Sequence, residues 1–308
     1  MLAGLLSCES VSPVQQVSWA SPELRDHPLV GVIWESASAR TVSREELIDR
    51  MQRARYVLIG EKHDNADHHR LQRDLLEALI ESGGLGSVSF EMMESATQPS
   101  LDAIAGNPPG SLAGLKQRLE WDDEGWNWDY YGPLIHSAVL AGLPTHAANI
   151  DAAAVGAIYA GNAPEQLPDV TDAQTRERLN RDIDESHCGM LPESQFPAMV
   201  RVQQHRDASM ARNMLRERER GTALLFAGNY HVRKDLGVPL MLSGYDASLQ
   251  SANPDALVSL AILEVVDGEF DPADYEDRFG AIAPYDYIWF TPSLGEIDYC
   301  ASMMQSNG

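Results

Sequence analysis

Lysine is scarce in this chain: Lys62, Lys116 and Lys234 are the only lysines among 23 basic residues. Basic charge as a whole is outweighed, with 46 acidic residues giving a net charge of −23 over 308 residues. That balance argues against nucleic acid or an anionic membrane surface as main partner, since both need a basic footprint. Long hydrophobic runs are missing too, and no stretch approaches the roughly 20 apolar residues of a spanning helix. Cysteine is limited to Cys8, Cys188 and Cys300, with no CxxC or CxxCH pattern, so no cysteine-built metal knuckle or covalently attached haem is expected. Cys188 and Cys300 can pair in an oxidising compartment and stay thiols in a reducing one. What remains is an ordinary globular composition, 44% hydrophobic and 22% charged. The length suits one large α/β domain or two small ones.

The first residues carry Leu5-Leu6-Ser7-Cys8, which reads like a bacterial lipobox whose cysteine becomes the lipidated first residue. A basic start and a full-length apolar region do not accompany it. Rich in Ser, Pro and Gln, the stretch up to residue 28 reads as a tether. Residues 29–295 are expected to form a single α/β domain, and 296–308 a tail. Short apolar runs at 29–34, 56–59, 87–90, 144–148, 222–227, 257–266 and 287–290 read as strands. Amphipathic stretches at 44–53, 67–82 and 133–140 read as helices, the first opened by a capping box at Ser43 and Glu46. Strand alternating with helix implies right-handed βαβ units and a mostly parallel central sheet flanked by helices. A helical insert over 152–220 is a candidate lid.

Polar motifs fall where these strands end. Gly60-Glu61-Lys62-His63 follows one strand, Glu91 another, Asn149 a third and Gly228-Asn229-Tyr230-His231 a fourth. In an open parallel sheet the carboxyl ends share one edge, and ligands bind there. Two histidines and a carboxylate, His63, His231 and Glu91, suit a divalent metal with open positions for water. Alone, each motif reads as easily as a helix cap or a turn. His68 and His69 open the next helix, either as its exposed start or with one ring at the rim beside His63. The aromatic stretch from Glu120 to Pro133 holds Trp121, Trp126, Trp128, Tyr130 and Tyr131. It reads as a helix stapled to the core, or as a flat pocket wall in which a tyrosinate ligates haem iron. Gln203, Asp207, Met210 and Met214 recur at helical spacing, and a buried Asp207 would need a partner. His187 and His205 read as surface residues.

Together these segments resemble the ChaN-like family of haem-binding lipoproteins, within the wider Tiki/TraB/erythromycin-esterase superfamily. The matching pieces run from Tyr56-Val57-Leu58-Ile59-Gly60-Glu61-Lys62-His63-Asp64 through His68-His69, Phe90-Glu91-Met92, Trp126 to Pro133, Ala147-Ala148-Asn149, Arg206-Asp207 and Gly228-Asn229-Tyr230-His231 to Tyr287-Ile288-Trp289-Phe290-Thr291. The resemblance implies an α/β fold with a parallel sheet and a part in haem or iron uptake at a bacterial envelope, as a periplasm-facing lipoprotein anchored through Cys8. On that reading haem or another small ligand is the partner, and a homodimer is open. His63, His68, His69, Tyr130, Tyr131, Asn149, Tyr230 and His231 are the candidate cofactor-binding residues, with Arg70, Arg201 and Arg206 nearest for the propionates. The superfamily also implies an alternative, a metal-dependent hydrolase holding zinc, manganese or iron. Glu61, His63, Glu91 and His231 would then be catalytic, with His63, Glu91 and His231 on the metal.

Overall fold

The computed structural model describes residues 18–217, 219–249, 256–277 and 283–301. The lipobox residues up to Cys8 lie outside them. The strands are β1 (Ile33–Glu35), β2 (Arg40–Val42), β3 (Tyr56–Glu61), β4 (Leu85–Glu94), β5 (Thr145–Asn149), β6 (Thr222–Gly228), β7 (Leu257–Glu264) and β8 (Tyr287–Thr291). They form one sheet in the order β2-β1-β8-β7-β3-β6-β4-β5. Parallel pairing runs without a break from β8 to β5, while β1 and β2 add an antiparallel edge. The fold class is therefore α/β, as the sequence implies. Ile59, Phe90 and Ala227 do lie on neighbouring parallel strands, β3, β4 and β6.

The helices are α1 (Arg44–Arg53), α2 (Ala66–Ser82), α3 (Gln98–Ala105), α4 (Leu112–Leu119), α5 (Trp128–Leu140), α6 (Ala152–Tyr159), α7 (Ala173–Ser186), α8 (Phe196–Arg216), α9 (Val238–Tyr245) and α10 (Pro272–Asp277). Their stripes sort onto the two faces of the sheet by strand alternation. Val57 and Ile59 of β3 meet Leu47 of α1, Leu75 of α2 and Leu134 of α5. Tyr56 and Leu58 face the other way, toward Met210 and Met214 of α8 and Met241 of α9. Helix α1 starts on the expected capping box, in which the Ser43 hydroxyl accepts from the Glu46 amide at 3.1 Å and Glu46 accepts from the Ser43 amide at 2.8 Å.

Four expectations differ from what is seen. The first strand lies at 33–35 rather than 29–34, because Gly31 at φ +85° turns the chain before it. Residues 18–28 do not hang free: the Ala20 and Ser21 amides donate to Asp67, and Glu23 bridges to Ser293. Finally, the insert is only partly a lid. Helix α8 is a core helix, with Ala208, Met210, Ala211 and Met214 buried on the sheet, and His205 on it is buried at 3% exposure, beside Glu165, rather than at the surface.

Candidate functional site

At the carboxyl edge of the sheet a cavity of about 760 Å³ opens between the ends of β3, β6 and β7 and the insert. Its floor carries Glu61, His63, Gly228 and Asn229. Tyr230 and Ile262 to Glu264 form one wall, and Asp182, Ile183, Ser186 and Gln203 the insert side. Tyr299 closes a corner from the C-terminal segment.

Two histidine–carboxylate clusters underlie this floor, one from each face of the sheet. From the α2–α5 face, His63 Nδ1 donates to Glu61 Oε1 at 2.5 Å. The Tyr131 hydroxyl donates to the same oxygen at 3.2 Å. Trp126 stands edge-on to the His63 ring, centroids 4.8 Å apart. Glu61 is buried, whereas the His63 side chain is 47% exposed. Burial works against a charge on His63, but the Glu61 hydrogen bond and the nearby carboxylates outweigh it and raise its pKa. Burial, reinforced by the Glu61 charge, pushes the Tyr131 phenol far above its ordinary value, so it stays a donor.

From the α8 face comes a buried run of Asp207, His231 and Glu91. His231 Nδ1 donates to Asp207 Oδ1 at 2.6 Å, and its Nε2 lies 3.3 Å from Glu91 Oε1. The Gly228 amide donates to Glu91 Oε2 at 2.7 Å. Burial opposes charge on His231, yet the two carboxylates raise its pKa to about 10. Burial likewise opposes charge on Glu91, but His231 and the Gly228 amide bring it down to about 2. Asp207 moves up instead, mainly through burial, although it makes the shorter contact. Its second oxygen, Oδ2, finds no hydrogen bond, whereas both oxygens of Glu91 are served. The ion pair therefore sits on Glu91 and His231. Asp207 is thus the partner-seeking carboxylate that its helical spacing singled out.

Gly228 joins the clusters. A Cβ there would stand 2.8 Å from His63 Cε1, so only glycine lets this ring lie over the end of β6.

The structure separates the candidate residues sharply. Glu61, His63, Glu91 and His231 do converge. As a metal trio, however, His63, Glu91 and His231 are not assembled. His231 spends both ring nitrogens on carboxylates, and among the described residues no group of three His, Cys, Asp or Glu is placed to hold an ion. His68 is buried and held neutral by burial, then by His69 and Lys62. Its Nδ1 accepts from the Lys62 amide at 2.9 Å, so Nε2 donates to Thr291 at 2.9 Å. His69 is engaged by the His63 carbonyl at 3.0 Å and by the Gln72 side chain, and Tyr130 stacks on it at 4.6 Å.

Several of the candidate cofactor residues lie away from this cavity. His69, Tyr130, Tyr131 and Asn149 do not line the cavity. Tyr131 is a core residue that braces Glu61, and Trp128 beside it is also buried in the core, so the aromatic stretch staples α5 down rather than walling a pocket. Asn149 lies two strands from β6 on the sheet edge, its Oδ1 accepting from the Ile150 amide. Tyr230 does line the cavity, with its hydroxyl buried and without a hydrogen bond. What the sequence did not mark is the insert wall, Asp182 to Ser186, and Tyr299. Glu264, by contrast, ends β7, so the strand-end rule applied once more would have found it.

A family model described as haem-binding uptake, Tiki superfamily, ChaN matches residues 47–242. Among solved structures the chain is similar to ChaN of Campylobacter jejuni, described as binding haem cofacially. Identity is 24%, coverage 83% of this chain and 95% of that one, and the TM-score 0.68. An erythromycin esterase, EreC, in its open conformation shares 11% identity over 83% of this chain and 95% of its own, at a TM-score of 0.45 too low to carry an argument. No curated protein matches the chain.

Proposed function

The chain belongs to the haem-binding uptake (ChaN) family of the Tiki superfamily, and we propose that it binds haem in this cavity with His63 as the iron's protein ligand. One observation carries the reading. Four imidazoles cluster at the site, and those of His68, His69 and His231 have both nitrogens engaged. Among the described residues, His63 alone of the four keeps a ring nitrogen, Nε2, without a partner, on a half-exposed side chain at the cavity floor. With its Nδ1–H held by Glu61, the Nε2 lone pair is the free one, the tautomer that iron ligation needs. Tyr230 is the weaker ligand: burial, then the Asp182 charge, pushes its phenol far from the tyrosinate form.

The residues fit haem in size and wall chemistry. The volume lies within the roughly 300–1,000 Å³ of small-molecule sites, and Ile183, Ile262 and Leu263 offer apolar surface to a porphyrin face. Among the described residues Lys62 is the one lysine or arginine on the lining, and it is paired with Glu264 at 3.0 Å. The propionates accordingly belong at the solvent-facing mouth. Arg70 does not serve them, being tied to Asp67 and stacked over Trp19, and neither Arg201 nor Arg206 lines the cavity. Bound haem would supply a redox-active iron. The chain's own part is to orient His63 through Glu61 and Tyr131 and to keep the floor closed.

We read the protein further as an envelope lipoprotein of haem or iron uptake, lipidated at Cys8. The lipobox-like start supports this, as does the pairing of Cys188 with Cys300, which suits an oxidising compartment. A homodimer would let two haems meet face to face, the arrangement named for the Campylobacter jejuni protein.

Haem titration followed by absorbance tests the ligand assignment. Wild-type protein and Tyr230→Phe should give the same saturable Soret shift, and His63→Ala should lose it. Loss in Tyr230→Phe with retention in His63→Ala would move the iron to the tyrosine.

A further inference from the structure

The cavity's two rims come from distant parts of the chain, and a covalent bond joins them. Helix α7 gives Asp182, Ile183 and Ser186 to one wall, and two residues past its end stands Cys188. Tyr299 covers the opposite corner, and the next residue is Cys300. Cys188 and Cys300 form a disulfide, Cα atoms 5.7 Å apart across 112 residues of sequence.

The two ends are held very differently without it. On the α7 side, Leu179 and Ile183 are packed into a small core with Val200 and Leu236. Asp182 also pairs with Arg233 at 3.4 Å. On the other side, the chain leaves β8 at Thr291 and is tied at Ser293, which bridges to Glu23 and lies 3.3 Å from Glu264. Beyond it Glu296, Ile297, Asp298 and Tyr299 are all exposed. The contacts of Tyr299 across the mouth include its hydroxyl on the half-buried Asp64 carboxylate and the Lys62 ammonium 6.0 Å above its ring. Polar contacts at a partly exposed rim like this one are weak beside a covalent bond.

We propose that the Cys188–Cys300 disulfide is a redox-operated strap across the mouth of the cavity. Oxidised, it pins Tyr299 against the rim and slows escape of the bound ligand. A dithiol reductant opens it: two electrons and two protons pass to the sulfurs, Cys188 and Cys300 become thiols, and the reductant leaves as its own disulfide. Residues 294–301 then swing away while α7 stays docked. Haem taken up under oxidising conditions is handed over faster once the strap is reduced. This rests on the haem reading of the cavity, so the test has an arm that does not depend on haem.

In the first arm, hydrogen–deuterium exchange is followed on the haem-free protein, with the disulfide intact and in the Cys188→Ser/Cys300→Ser variant, which mimics reduction without a reductant. Exchange in 294–301 should rise by about tenfold or more, while α7 and β3 stay protected. In the second arm, haem is passed to an excess of a high-affinity acceptor protein, and the transfer rate should be about tenfold higher for the double variant. Unchanged exchange in 294–301 overturns the strap whether or not haem binds. Increased exchange with an unchanged transfer rate overturns its role in ligand release. Failure of the disulfide-intact protein to bind haem counts against the cavity reading instead, and the exchange arm alone then decides the strap.

Discussion

Replacing His231 by alanine should damage the fold far more than replacing His63, although both sit in Gly-x-x-His motifs. His231 is 6% exposed between Glu91 at 3% and Asp207 at 1%. Its removal leaves two buried carboxylates facing an empty space. Breaking a buried ion pair by deleting one partner costs about 3–5 kcal/mol. At roughly 2–4 °C per kcal/mol for a large domain, the midpoint of melting falls by about 6–20 °C. His63→Ala removes a half-exposed ring, and Glu61 keeps the Tyr131 hydroxyl. Its cost should be smaller, about 1–3 kcal/mol, because the buried Glu61 loses one of its two donors. Because the buried groups form one network, Asp207→Asn in the His231→Ala background should recover about 1–3 kcal/mol. Calorimetric melts of the ligand-free variants read all three numbers. A His231→Ala protein as stable as wild type, or a His63→Ala protein equally damaged, would refute the division into a structural and a ligand-facing histidine.

The same buried cluster sets a pH window. His231 has its pKa raised from 6.5 to about 10, so its contribution is full below about 6.5 and lost as pH climbs through about 10. Glu91 has its pKa lowered from 4.5 to about 2, so its contribution is present above about 4.5 and lost as pH falls through about 2. Urea-unfolding free energy should therefore decline between pH 7 and pH 10, and that decline should vanish in His231→Ala; persistence of the slope would assign it elsewhere. Gly228→Ala should push the His63 ring off the end of β6, since the added Cβ meets Cε1 at 2.8 Å. Haem affinity should then fall by about tenfold or more while melting changes little, and unaltered affinity would show that the ring does not need that place. Mass spectrometry of the native N-terminus should find lipid on Cys8, and an unmodified Met1 would refute the anchor.

The placement of Glu61, His63, Glu91 and His231 at one sheet edge was legible because it follows from topology alone. Each motif directly succeeds an apolar run, and parallel strands all end on the same side. Asp207 was legible for a similar reason, as a carboxylate on the stripe that holds Met210 and Met214. The chemical state of each histidine was not legible. Whether a ring nitrogen is free depends on Thr291 for His68, on Gln72 for His69 and on Asp207 for His231. Apart from Gln72, these partners lie on elements far away in sequence. Tyr299 escaped for the same reason, its contact with Asp64 spanning 235 residues. Strand β2, three residues long, carries too little pattern to be read at all. His205 is buried on α8 beside Glu165, although its immediate sequence neighbours Gln203, Gln204, Arg206 and Asp207 are polar.

The central claim is that His63 Nε2 holds the iron, and chemical rescue tests it most directly. His63→Gly is titrated with haem, with and without free imidazole, and electron paramagnetic resonance records the iron's ligand field. Without imidazole the variant should show no nitrogen-ligated signal, and millimolar imidazole should restore the wild-type spectrum, since the freed space over Gly228 lets the small base take the ring's position. A wild-type spectrum in His63→Gly without imidazole would contradict the account.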